Sequence, residues 1–255
     1  MTTSENNKLN TLNILVLIAF LGKITVNYLS NALPINGFTP GQLSDLYPNE
    51  FVPAGFTFSI WGVIYLACVA FVVQVFRKDI SPKIKYLFLA VCVLNVSWLF
   101  AWHYQNIALS LIIMLAFLSV LIYWYLTIRN DKTTQNDVIV KVTSSLYLGW
   151  ISVATAANIT TSLVHNNLLI SSQKTESIIT LILCLVILGL TALMVLKKSD
   201  FVYALVITWA AFGIYSKRVA DLLMDDAMAT YGAFILGGGA AILATFAILK
   251  KRQSY

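Results

Sequence analysis

Tyr147, Trp150, Ala154, Ala157 and Asn158 recur at steps of three and four within YLGWISVATAAN, residues 147–158. A helix carries them as one stripe. An indole beside alanine-sized gaps makes a slot for a flat ligand, and Asn158 adds an amide that hydrocarbon penalises unless a neighbouring helix or a bound molecule satisfies it. On this stretch alone, Trp150 and Asn158 would serve equally well as glue between helices. Two further clusters share its character. In AGFTFSIWGVIYL, Phe58, Trp61 and Tyr65 fall on one helical face, with Gly55 and Gly62 expected to permit close helix approach. In LNVSWLFAWH, Asn95, Trp98 and Trp102 are spaced by three and four. Interfacial tryptophans sit at helix ends, whereas Trp61, Trp98 and Trp150 lie several residues inward, which favours lining an internal pocket over anchoring.

The elements that must position these side chains are membrane helices. Hydrophobic residues make up 59% of the 255 and charged ones only 11%, with a mean hydropathy of +0.80. That charged fraction is about half that of an ordinary soluble domain. Length and apolarity pick out about eight spans, near 12–31, 54–76, 84–103, 107–128, 142–164, 177–196, 201–216 and 229–249. The connections are short and hold no low-complexity tract, so the fold expected is an all-α, polytopic membrane bundle. An apolar run at 12–22 followed by Ser30, Asn31 and Ala32 has some features of a signal sequence, but Lys8 alone before it and Lys23 within its tail favour a retained helix.

Charge sets the expected orientation. Lys8, Arg77, Lys78, Lys83, Lys85, Arg129, Lys132, Lys141, Lys197, Lys198, Lys250, Lys251 and Arg252 fall on one side, against Lys174, Lys217 and Arg218 on the other. Lysine and arginine are retained in the cytoplasm, so both termini are expected there. The net charge of +6 is thus a topology signal; no basic run interleaved with aromatics points to nucleic acid.

Lys23 is the clear intramembrane charge. It lies about 9 Å from the outer end of its helix by the helical rise, near enough to snorkel to the interface, which is the favoured expectation. The alternative turns it into the cavity toward a ligand carboxylate, with Asn27 and Asn31 continuing its face. His103 and His165 fall at outer helix ends, where interfacial hydrogen bonding is favoured over haem or metal ligation because no ligand spacing accompanies them. Cys68, Cys92 and Cys184 lie inside spans and imply no disulfide framework. No P-loop, dinucleotide turn, nucleophile elbow or paired intramembrane carboxylate is present, so no catalytic or metal residue is assigned. Asp200, Asp221, Asp225 and Asp226 are expected at solvated helix ends, which disfavours a proton-driven transporter. The patch of residues 237–241, GGGAA, suits tight helix packing.

Three motifs in order resemble the TspO or translocator proteins, also called tryptophan-rich sensory proteins. Pro53 with Phe58, Trp61 and Tyr65 is similar to the family's second helix, Asn95 with Trp98 to its third, and Tyr147, Leu148, Trp150, Ala154, Thr155 and Asn158 to its fifth. The resemblance covers residues from about 10 to 165. It implies a five-helix bundle whose cavity, roofed by the loop between the first two helices, takes flat apolar ligands such as porphyrins and sterols. Trp61, Tyr65, Asn95, Trp98, Trp150 and Ala154 would line it. A minimal member ends after the fifth helix, whereas this chain adds about three; the loop also lacks the family's usual tryptophan, leaving Phe38, Tyr47, Phe51 and Phe56.

The expected organisation is a ligand-binding bundle at 1–165 and an additional three-helix membrane segment at 166–255, in one structural unit. The expected function is binding of a tetrapyrrole or sterol-like ligand, as sensor, store or chaperone, through Trp61, Tyr65, Asn95, Trp98, Tyr147, Trp150, Ala154, Asn158 and Lys23. Transport of that ligand is the first alternative and porphyrin breakdown the second. No cofactor is required, a porphyrin or haem being the candidate ligand. The bilayer is the expected environment, the bacterial inner membrane the expected location and a homodimer an option.

The charge asymmetry makes a testable prediction. A cysteine introduced at Asp45 should react with an impermeant maleimide from outside intact cells or right-side-out vesicles, while one introduced near Lys198 should not. Labelling at position 45 only from the cytoplasmic side would reverse the orientation.

Overall fold

The computed structural model describes residues 10–33, 35–168, 173–220 and 227–252. Lys8, Asp221, Asp225 and Asp226 lie outside them. Among the described residues there is no strand, and the helices are α1 (Thr11–Ala32), α2 (Pro40–Asp45), α3 (Ile60–Arg77), α4 (Pro82–His103), α5 (Ile107–Asn130), α6 (Val138–His165), α7 (Gln173–Lys198), α8 (Phe201–Ala220) and α9 (Ala227–Arg252), with short 3-10 turns at Ile35–Gly37 and Gly55–Ser59. Among the described residues, seven spans are long and apolar enough to cross a membrane: α1, Gly55–Arg77, α4, α5, α6, and the bulk of α7 and α9. The chain is an integral membrane protein. The expected span at 201–216 does form a helix, α8, but Lys217 and Arg218 in its last turn shorten its apolar run.

Helix ends follow local chemistry. Asn10 caps α1 by accepting from the Leu12 amide at 3.0 Å, and Asn106 caps α5 by accepting from Leu109 at 3.2 Å. Pro82, in the first turn of α4, has no amide hydrogen to leave unpaired. Asp137 caps α6 through the Val140 amide at 3.1 Å and receives Lys78 Nζ at 2.7 Å. Asp200, expected in water, is instead buried: it caps α8 through the Tyr203 amide at 3.1 Å. Spans carry hydroxyls by turning them onto their own backbone, as when Ser30 donates to Asn27, Thr155 to Ile151 and Thr191 to Ile187, at 2.7–2.8 Å.

The chain divides into two compact units, one of Met1–Leu43 with Ile60–Leu148, the other of Ser44–Ser59 with Gly149–Tyr255. In the first, α1 packs on α3 and α4, and α4 on α5. Its core holds Val16, Ile64, Phe71, Phe88, Phe117 and Trp124, all fully buried. The Phe71 ring lies 4.6 Å from Phe88 and 5.3 Å from Trp124, whose indole N–H donates to the Ile84 carbonyl at 3.2 Å. Leu66 and Ile112 point outward and stay largely exposed, as a lipid-facing surface requires.

In the second unit α9 packs on α7 and α8, and the turn Gly55–Ser59 sits against α8. Small residues set the distances. A Cβ on Gly239 would come within 2.8 Å of Leu188, and one on Gly237 within 3.4 Å of Ala211, so the expected packing role of this patch has a structural basis at those two positions. Gly55 and Gly62 behave otherwise: a Cβ at either would meet nothing within 4 Å, and neither is a close-approach point. The tightest approach falls at Gly213 in α8. Its carbonyl accepts from the Ala54 amide at 3.0 Å, and a Cβ there would sit 1.9 Å from Oγ1 of the fully buried Thr57.

Gly213→Ala should therefore displace Thr57 and destabilise the protein by about 1–3 kcal/mol, as overpacking does. Gly62→Ala, with open space around it, should cost nothing. Thermal unfolding of both variants in detergent compares them, and equal midpoints would show that α8 and the 54–57 segment do not hold this contact.

Candidate functional site

Within the first unit, one amide ties three helices together. Asn27 on α1 donates to the Lys23 carbonyl at 2.8 Å and to Asn95 Oδ1 on α4 at 2.7 Å, while its own Oδ1 accepts the Tyr65 hydroxyl of α3 at 2.7 Å. Both N–H groups of the Asn27 amide and its carbonyl oxygen thus have protein partners, which is what burial in hydrocarbon demands. The four-residue step from Lys23 to Asn27 puts both on one face of α1.

Lys23 occupies the next turn of that face and is 1% exposed. It does not snorkel. Its Nζ lies 3.5 Å from Cys68 Sγ and 5.0–5.7 Å from the ring centroids of Phe20, Tyr65, Phe88 and Tyr147. A lysine in the middle of a span costs about 3 kcal/mol. Each aromatic face returns of order 0.5–2 kcal/mol, so four rings hold the ammonium inside without help from the interface. Sequence depth alone placed Lys23 near the outer surface; the direction of its side chain comes from these four neighbours.

Aromatic stacking continues from that cluster. Trp61 stacks on Tyr65, centroids 5.6 Å apart and planes 25° apart, and meets Tyr147 edge-on at 5.9 Å. Tyr147 in turn packs edge-on against Phe117 at 5.5 Å. Trp98, one turn beyond Asn95, stacks on Trp102 at 5.8 Å with planes 18° apart. The loop enters here as well: the Trp102 indole donates to the Pro40 carbonyl at 3.4 Å, and Asn36 Nδ2 to the His103 carbonyl at 3.0 Å. Among the described residues, the buried donors Asn95 Nδ2, Trp98 Nε1 and the Tyr147 hydroxyl find no partner. Unpaired buried donors are costly, and they are groups a ligand could satisfy.

The structure thus brings Lys23, Trp61, Tyr65, Asn95 and Tyr147 into one cluster, with Asn27 and Cys68 as members that the site assignment omitted. Asn27 was legible as the residue four steps from Lys23. Cys68 carried no signal beyond lying three residues after Tyr65. Trp150, Ala154 and Asn158 belong to the second unit, where α6 continues. There Trp150 is buried edge-on against Phe58 at 5.8 Å, Asn158 is buried and Ala154 is half-buried.

The second unit also holds the later part of the loop. The Glu50 amide donates to the Glu176 carboxylate at 2.7 Å, and Ser177 donates to the Glu50 carboxylate at 2.8 Å, joining the loop to the start of α7. Trp209 of α8 donates to the Thr57 carbonyl at 3.0 Å and packs edge-on against Phe56 at 5.6 Å. Lys217 pairs with Asp45 at 3.1 Å, and Tyr47 meets the His165 ring edge-on at 5.7 Å. His103 is fully buried, with Nδ1 2.8 Å from the Leu99 carbonyl of its own helix. Among the described residues no three His, Cys, Asp or Glu side chains gather as a metal site would require.

Because Asn27 serves both Asn95 and Tyr65, Asn27→Ala should orphan two buried groups and lower stability by about 1–3 kcal/mol. Tyr65→Phe, which removes one hydroxyl and keeps the ring, should cost less. Thermal unfolding in detergent orders the two variants. A smaller loss for Asn27→Ala than for Tyr65→Phe would mean that the amide is not the hub.

No curated protein and no solved structure matches this chain. A family model does, over residues 13–248, a range that extends past the first five spans to take in α7, α8 and most of α9. Its description is TSPO-like protein, and the chain belongs to that TSPO-like family.

Proposed function

We propose that this protein binds a flat apolar ligand, of tetrapyrrole or sterol-like shape, and acts as its sensor, store or chaperone in the membrane. The observation that carries this reading is the cluster of the first unit: a stacked Trp61–Tyr65 pair beside Tyr147, with the unpartnered Tyr147 hydroxyl and Asn95 Nδ2 among aromatic walls. Broad apolar faces with a few convergent polar groups are how small-molecule sites combine affinity with orientation. Membership of the family supports the same reading. Trp150, Ala154 and Asn158 enter it as the continuation of the Tyr147 stripe along α6, and Trp98 as the next turn beyond Asn95. The charge asymmetry adds cytoplasmic termini and a bacterial inner membrane to the proposal.

Titrating the purified protein in detergent with protoporphyrin, read by tryptophan quenching, tests it. Trp61→Ala and Trp150→Ala should each weaken binding by about 1–3 kcal/mol, the loss expected when an aromatic wall is truncated. Trp124→Ala is unsuitable as a neutral comparison because Trp124 is a fully buried core residue; Tyr231→Ala, at a position 63% exposed, should leave affinity unchanged. Wild-type affinity retained in both tryptophan variants would remove the case for this site. Uptake into sealed vesicles would instead mark a transporter, and a time-dependent change in the porphyrin spectrum an enzyme.

A further inference from the structure

Lys23 is a buried cation whose hydrogen-bond acceptor among the described residues is a weak one, the Cys68 thiol. An ammonium has three N–H groups. Here the thiol of Cys68, a weak acceptor, lies 3.5 Å away, and the faces of Phe20, Tyr65, Phe88 and Tyr147 stand 5.0–5.7 Å from Nζ. Neither ion pair found among the described residues involves Lys23. The Tyr147 hydroxyl, on one of the rings that Lys23 faces, is fully buried and unpartnered. Asn95 Nδ2 is likewise unpartnered, on the face of α4 that also carries Phe88. All three groups can donate, and they stand among aromatic rings on α1, α4 and α6.

We propose that this cluster receives the carboxylate of an otherwise apolar ligand, with Lys23 as its counter-ion and the Tyr147 hydroxyl and Asn95 amide as further donors. The inference rests on the flat-ligand reading above and narrows it to acids. Several donors with a single positive charge match one carboxylate, which has about four lone-pair directions to fill and one charge to neutralise. An ammonium–carboxylate contact in a low-dielectric site is far stronger than in water, so the preference for acid over neutral ligand should be large. A fatty acid and a ring-bearing acid share this head group, and competition separates them.

The test uses the full-length protein in detergent with 1-pyrenebutyrate and its methyl ester, followed by energy transfer from tryptophan. The wild type should bind the acid at least about ten-fold more tightly than the ester. Lys23→Met should bring the two within about two-fold of each other, and Tyr147→Phe, which keeps the ring, should weaken the acid about three- to ten-fold while leaving the ester unchanged. Thermal unfolding shows whether Lys23→Met is folded. If it is not, the wild-type acid-to-ester ratio and the Tyr147→Phe result decide the matter. Displacement of pyrenebutyrate by oleate would identify lipid acids as ligands of the cluster, and resistance to oleate would identify ring-bearing acids. Equal binding of acid and ester by the wild type overturns the carboxylate proposal and leaves the flat-ligand reading standing. Binding of neither overturns both.

Discussion

Hydrocarbon offers no hydrogen bonds, and the first unit is organised around meeting that constraint at Asn27. One side chain satisfies its own turn, an amide on α4 and a hydroxyl on α3, at 2.7–2.8 Å in each case. Those contacts fix the rotation of three helices about their axes, because turning any of them by one residue would leave a polar group in lipid. The aromatic stack then follows. Tyr65 is held by its hydroxyl, Trp61 lies flat on Tyr65, and Tyr147 closes the edge. Lys23, one turn from Asn27, is carried inward by the same rotation.

The helices beyond residue 165 have a role that their sequences concealed. Ser177 and Glu176 of α7 and Trp209, Gly213 and Lys217 of α8 all contact the segment 45–57. The interactions include hydrogen bonds to carboxylates and to backbone carbonyls, and an ion pair, so the segment is anchored by several unlike interactions. The loop following α1 is therefore divided, with residues 36–40 fastened to the end of α4 and residues 45–57 fastened within the second unit. A family match reaching residue 248 agrees with helices that belong to the fold.

Segment positions were legible in the sequence because hydrocarbon thickness and the helical period are local properties: the run of apolar residues sets the length, and the three- and four-residue spacing sets the stripe. Trp61 and Tyr65 share a face for that reason, and so do Asn95 and Trp98. Lys23 shows where local reasoning stops. Its depth could be counted in residues, but whether it reached outward or inward depended on Phe20, Phe88, Tyr147 and Cys68, which come from three other parts of the chain as well as its own helix. Glycines divide in the same way. Gly55 and Gly62 were expected to permit close helix approach yet face open space, while Gly213, isolated in its sequence, lies against Thr57.

By itself, then, the sequence determined the membrane class, the helical spans, the stripes that carry aromatic and amide groups, and the resemblance to the family. Tertiary structure alone decided that Lys23 is enclosed by rings, that Asn27 is the hub, that Asp200 is a buried cap, and that α7 and α8 hold residues 45–57. The physical reason is one of range. Spans and stripes arise from residues within a turn or two of one another, whereas the direction of a buried charge and the partner of a buried donor are set by side chains tens to more than a hundred residues away, and neither is legible until those side chains are in place.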